Sequence, residues 1–226
     1  MKKILLFDAD GTLFDFHAAE DCALNQLMDS CHIMDKENAI QIYHRINSAL
    51  WKRIEEGTMT QSRLKIQRFE EFIEAMQLNF TAETLAQMFM DNLSKGTQLI
   101  EYAYETMEIL SQKYDCHIVT NGITYIQKNR MANSALRPFI KELFISEEMQ
   151  VSKPDPKYFD QVKEKLNVDD EDILIVIGDS ISSDMQGALN SSLKSVWYNP
   201  QHQSTDLKLD AIISDLRELE HVIDHI

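Results

Sequence analysis

Apolar residues in this chain come in short unbroken runs, and each run stops on a polar or small residue. KILLF at 3–7, HIVT at 117–120, LFI at 143–145, ILIVI at 173–177, SVWY at 195–198 and AII at 211–213 are the clearest. Several are apolar throughout rather than alternating, the pattern of strands covered on both faces. Between most of them lie stretches with helical spacing. In IEYAYETMEILSQKY, Ile100, Ala103, Met107 and Leu110 share one stripe. Strands alternating with helices predict an α/β fold built on a doubly wound parallel sheet.

The segment between Phe7 and His117 breaks this rhythm. AIQIYHRINSALWKRIEEG repeats apolar residues at Ile42, Ile46, Leu50 and Ile54 and ends at Gly57. QSRLKIQRFEEFIEAM and TAETLAQMFMDNLSKG are also amphipathic, and Thr81 is placed to cap the second of these. One βαβ crossover needs far fewer residues than this. The pattern therefore predicts a helical insertion at 16–96 inside a core made of 1–15 and 97–226.

Composition narrows the function. Lys and Arg total 22 against 37 Asp and Glu, a net charge of -15. That balance argues against polymeric nucleic acid as a partner, because phosphate backbones need a basic surface. One small phosphate remains open, since a metal ion and a single lysine can neutralise it locally. Cys22, Cys31 and Cys116 form no C-x-x-C pair, so neither a disulfide framework nor a zinc site is expected. The apolar part of MKKILLFDAD is too short for a signal peptide, and no segment reaches the roughly 20 apolar residues of a membrane span. A soluble cytoplasmic protein, with no membrane partner, is the expectation.

Ligands of doubly wound sheets bind beyond the carboxyl ends of the strands. The first strand is followed there by Asp8 and Asp10, and the second by Thr120, Asn121 and Gly122. Beyond the third lies SKPDP, with Lys153 ahead of Pro154 and Pro156; the fourth ends in GDSISSD, with Asp179 and Asp184. A calcium loop starting at Asp8 would need Gly at its sixth position and Glu at its twelfth, which are Leu13 and Ala19 here. That reading fails.

Converging carboxylates need a cation, and hard oxygens without His or Cys nearby favour Mg2+. An acidic magnesium site facing a lysine has the outline of a site for phosphoryl transfer. Asp8 can serve as nucleophile, giving an aspartyl-phosphate, and Asp10 as the group that moves protons. The Thr120 hydroxyl and nearby backbone N–H groups can hold phosphoryl oxygens. Asn121 reads equally as a ligand or as a turn residue. Asn47 and Trp51, on the long helix of the insertion, are candidates to face a substrate base, with helix packing and solvation as the alternatives. His117, within a strand, reads as structural.

DADGT, VTNG, SKPDP and GDSISSD, in that order, resemble the four motifs of the haloacid dehalogenase-like (HAD) phosphatases. The resemblance implies a Rossmann-like core with Mg2+ held by Asp8, the Asp10 carbonyl and Asp179, and with Asp184 as a supporting acid. It also implies Asp8 as nucleophile, Asp10 as general acid/base, Thr120 as a phosphate ligand and Lys153 as the charge-stabilising lysine. The helical insertion is similar to that family's cap of the first type. FDADGTLFDF, VTNG and INSALWKRIEEG resemble the house-cleaning pyrimidine 5′-nucleotidases, although many of those carry Asp where this chain has Gly11. The expected substrate is a nucleoside monophosphate. Phosphoglycolate or a sugar phosphate is the alternative, a phosphomutase a remoter one, and a binding module without turnover the reading from another class.

Overall fold

The computed structural model describes residues 2–56 and 58–226. The chain divides into two compact units, Met1–His17 with Thr97–Ile226, and Ala18–Gly96. In chain order, β1 (Lys3–Phe7) leads into α1 (Phe16–Ser30), followed by α2 (Lys36–Glu55), α3 (Gln61–Met76) and α4 (Ala82–Leu93). The larger unit resumes with α5 (Ala103–Leu110), β2 (Asp115–Thr120), α6 (Thr124–Asn133), β3 (Leu143–Ile145), α7 (Ser146–Met149) and α8 (Pro156–Leu166). It finishes with β4 (Ile173–Gly178), α9 (Gln186–Asn190), β5 (Lys194–Tyr198), β6 (Ala211–Ile213) and α10 (Leu219–His225).

All six apolar runs are strands of one parallel sheet in the order β3-β2-β1-β4-β5-β6. The unbroken hydrophobicity of β1 has a direct cause. Leu5 and Phe7 pack on one face with Met107 and Leu110 of α5 and Leu219 and Ile223 of α10. Ile4 and Leu6 point to the other face, where Tyr158, Phe159 and Val162 of α8 cover them. Neither face meets water, so period-two alternation disappears. The chain leaves β1 for β2 on one side and later returns to β4 on the other. The carboxyl ends of β1 and β4 therefore flank the switch point where such sheets bind ligands.

Two boundaries differ from the sequence pattern. The second strand begins at Asp115 rather than His117, because Cys116 pairs with Leu5 across the sheet. The helix expected to include Ile100 starts only at Ala103, after Tyr102 in a left-handed conformation with φ 63°. Residues 98–100 instead tie down the loop after β1. The Gln98 carbonyl accepts from Asp15 N at 3.0 Å, and Ile100 N donates to the Leu13 carbonyl at 3.0 Å. Ile100 still packs against the core, so its apolar character serves the tie rather than a helix.

In the helical unit, Tyr43 of α2 meets Phe69 of α3 and Phe89 of α4 at ring separations of 5.8 and 5.6 Å. Thr60 and Thr81 cap α3 and α4 by accepting from Arg63 N and Thr84 N at 3.3 and 3.2 Å. Asn47 Oδ1 is buried with no hydrogen-bond partner among the described residues. Gly57, the expected end of the long helix, and the side chains of Trp51 and Ile54 lie outside the described residues. Among those described, no helix is long and apolar enough to cross a membrane.

Ile175 is fully buried in β4, where it pairs with Leu5. Ile175→Ala should destabilise the sheet-containing unit by about 2–5 kcal/mol through lost burial and the cavity left behind. Urea unfolding followed by far-UV circular dichroism checks this; a loss below about 1 kcal/mol would mean that the site collapses around the gap.

Candidate active site

The backbone after β1 turns sharply. Asp8 N still donates to the Ile177 carbonyl at 2.8 Å, holding Asp8 in line with the sheet. Leu13 N and Phe14 N then both donate to the Ala9 carbonyl, at 3.0 and 2.8 Å. Gly11 sits inside this turn at φ +88°, and a Cβ there would lie 2.6 Å from Asp179 Oδ2. The left-handed backbone favours glycine, and a side chain here would crowd the Asp179 carboxylate.

Four strand ends now meet. Asp8 is 8% exposed, and its Oδ1 accepts from Lys153 Nζ at 2.7 Å. The same ammonium donates to Asp184 Oδ1 at 2.6 Å and to the Val119 carbonyl at 2.7 Å, which uses all three of its protons. The second oxygen of Asp184 accepts from Ser180 N at 3.1 Å, and Asp184 is fully buried. Asp179 is fixed by Thr12 Oγ1 at 3.1 Å and through its carbonyl by Trp197 Nε1 at 2.8 Å. Asp8, Asp179 and Asp184 each bring a carboxylate oxygen within 4.8 Å of the others, close enough to share one cation.

Motif-two residues line the neighbouring strand end. Thr120, 2% exposed, accepts from Gly122 N at 3.0 Å through its hydroxyl. Asn121 uses its amide in both directions on one residue, donating to the Lys153 carbonyl at 2.9 Å and accepting from Lys153 N at 3.0 Å. This reciprocal pair locks the SKPDP loop to the end of β2 and so aims Lys153. The side chain of Asn121 therefore positions the lysine.

Asp10 stands apart from the three clustered carboxylates. Its Oδ2 accepts from Gln127 Nε2 at 2.5 Å, and its Oδ1 pairs with Nη1 of Arg130. Sequence reading missed both partners. The signal was a pair of polar residues three apart on α6, whose buried positions are Ile126, Gln127, Arg130 and Met131. Two polar residues on the inner face of a helix call for a buried partner of their own.

The charges perturb one another strongly. Burial holds Asp8 well above the ordinary carboxylate range; Lys153 opposes this, and Asp184 and Asp179 add to it. Burial, with Asp184 next, pushes Asp179 up from 3.8 to about 6. Burial works against the charged form of Lys153, but Asp184 and Asp8 outweigh it and raise its affinity for the proton. Acids this crowded lack positive charge, and a bound cation would relieve them.

Residues 5–198 match the sequence profile of the haloacid dehalogenase-like hydrolases. The chain belongs to that family. It is 35% identical over 201 residues to the pyrimidine 5′-nucleotidase PynA of Streptococcus pneumoniae, covering 88% of this chain and 85% of that one. The pyrimidine 5′-nucleotidase YjjG of Escherichia coli is 28% identical over 221 residues, 97% of this chain and 96% of its own. Among solved structures, the HAD-hydrolase YfnB of Bacillus subtilis, crystallised bound to magnesium, superposes with a TM-score of 0.89 at 33% identity over 99% of each chain. This HAD hydrolase is thus an α/β enzyme with a carboxylate cluster at the switch point of its sheet.

The Asp179 shift carries a pH signature. A carboxyl raised in the folded state gives stability that is full below its unfolded value of 3.8 and lost as pH rises through about 6. In a metal chelator, Asp179→Asn should therefore gain thermal stability relative to the wild type as pH climbs across that window. Equal melting-temperature differences at pH 3.5 and pH 6.5 would show that Asp179 holds its proton no more tightly folded than unfolded.

Proposed function

We propose that this HAD hydrolase is a magnesium-dependent phosphatase of nucleoside 5′-monophosphates, with pyrimidine nucleotides preferred. The observation that carries the chemistry is the Asp8 carboxylate, held at the switch point by Lys153 at 2.7 Å and flanked by two further acids. The substrate class rests on the likeness to PynA and YjjG. In this reading the helical unit is the cap expected from the sequence, and every catalytic group belongs to the other unit.

Asp8 Oδ attacks phosphorus while the bond to the leaving nucleoside oxygen breaks, and Asp10 gives that oxygen its proton. Water then attacks the aspartyl-phosphate and returns a proton to Asp10, and the bond from phosphorus to Asp8 breaks, releasing inorganic phosphate. Lys153 offsets charge at Asp8 and on the phosphoryl group in both steps. The Thr120 hydroxyl and the backbone N–H of Asn121 would hold phosphoryl oxygens; Gly122 N–H donates to the Thr120 hydroxyl and would join them only by turning from it, and the Asn121 amide is committed to Lys153.

The donor set suits a hard divalent cation: three carboxylates with no sulfur or imidazole in the cluster, and acids raised first by burial and then by one another. Asp8, Asp179 and the Asp10 carbonyl would hold Mg2+, with Asp184 supporting. The ion would supply neutralisation of charge on the phosphoryl oxygens.

Phosphate release should be measured with UMP, dTMP, AMP, phosphoglycolate and several sugar phosphates, with and without magnesium. The proposal expects release concentrated on UMP and dTMP, abolished by chelator and lowered about 10⁴-fold or more by Asp8→Asn. Release concentrated on glycolate or sugar phosphates would keep the chemistry and replace the substrate. Silence across the panel would leave a phosphomutase or a binding module.

A further inference from the structure

Arg130 is a charged side chain with no exposure, on a helix outside the four motifs. Its Nη1 pairs with Asp10, while its Nε and Nη2 are buried without a partner among the described residues. The guanidinium lies 5.2 Å from the centre of the Phe14 ring, four residues beyond Asp10. Gln127, one helical turn earlier on α6, takes the other oxygen of the same carboxylate at 2.5 Å.

Burying a guanidinium with two nitrogens, three N–H donors, unused is costly, and a neutral side chain of similar length would fill the space more cheaply. The structural reading is an anchor between α6 and the loop after β1. An anchor, however, would be expected to end on a buried acid. The partner here is an aspartate whose side chain keeps 27% of its surface exposed and whose neighbour two residues back is the clustered Asp8. Arg130 and Gln127 hold one oxygen each. Each oxygen keeps a further lone pair, so the carboxyl can exchange a proton without giving up either contact.

We propose that Arg130, assisted by Gln127, is a positioning residue for Asp10. It fixes the carboxyl where it can hand a proton to the leaving oxygen and later take one from water. This rests on the phosphatase reading above. Arg130 meets neither substrate nor metal in this assignment. Its effect passes wholly through Asp10, and so it must track the need for proton transfer.

The decisive comparison is Arg130→Met against the wild type on two esters that differ in leaving group. A nucleoside monophosphate expels a poor alkoxide and needs the proton; p-nitrophenyl phosphate expels a stable phenolate and does not. The variant should lose about 10²-fold in kcat/KM on the nucleotide and less than about threefold on the aryl ester. Slowed hydrolysis of the aspartyl-phosphate should also turn aryl-ester turnover into a burst of p-nitrophenol followed by a slow phase. Arg130→Lys, which returns a cation but not the fork, should recover part of the nucleotide rate; if the methionine variant fails to fold, the lysine variant carries the same comparison with smaller losses. Parallel losses on both esters, with no burst, would make Arg130 a structural anchor and overturn the assignment while leaving the phosphatase intact. A wild-type enzyme that cleaves neither ester would overturn the nucleotide-phosphatase reading, and the assignment that rests on it.

Discussion

The buried ammonium of Lys153 is the interaction on which the site depends. Its three protons bind Asp8, Asp184 and the Val119 carbonyl, so one group joins the ends of three strand-to-loop connections. Removing one partner of a buried ion pair typically costs about 3–5 kcal/mol, because the other charge is left stranded. The rest of the loop architecture can be understood as support for this contact. Asn121 clasps the main chain of Lys153 from the end of β2, and Ser180 N steadies Asp184 from the end of β4. Gly178 has no side chain because a Cβ there would lie 2.3 Å from Asp184 Oδ2. The parallel sheet brings these loops to one edge, and the lysine turns their proximity into a fixed geometry.

One lysine does not balance three acids. Asp8 and Asp179 stay raised even with Lys153 beside them. The imbalance is informative in a chain whose likeness to a magnesium-bound hydrolase extends over 99% of its length. Stability and function pull in opposite directions here. Apolar residues at these positions would give a quieter core, whereas the acids create a place where positive charge is scarce and a bound cation would relieve them.

How much of this was legible beforehand follows from which forces are local. The six strands were readable because burial on both faces leaves unbroken apolar runs. The four strand-end motifs were readable because a charge set directly after a buried run is costly unless something there binds it. What could not be read required a partner distant in sequence. Ile100 carries the helical stripe of α5, yet its N–H is claimed by Leu13, and the helix begins three residues later. Asn121 looked like either a ligand or a turn residue, and only its contact with Lys153, 32 positions away, decides what its amide does. Arg130 lies 120 positions from Asp10, beyond any local pattern.

The two aspartates that open the site show why those distant partners matter. They are two residues apart with the same side-chain chemistry, Asp8 in line with the sheet and Asp10 in the tight turn that follows. Asp8 looks toward Lys153 and the other acids; Asp10 looks toward Arg130 and Gln127. Identical side chains take different parts in a reaction when their surroundings differ, and these surroundings differ almost completely. The chain leaves the strand between them: Asp8 N still bonds to the Ile177 carbonyl, whereas the Ala9 carbonyl accepts from Leu13 and Phe14 N–H and begins the turn. Gly11, at φ +88°, carries that turn past Asp179. One tight turn thus sorts two equal acids into two environments, and an arginine from a helix outside the motifs completes the second of them.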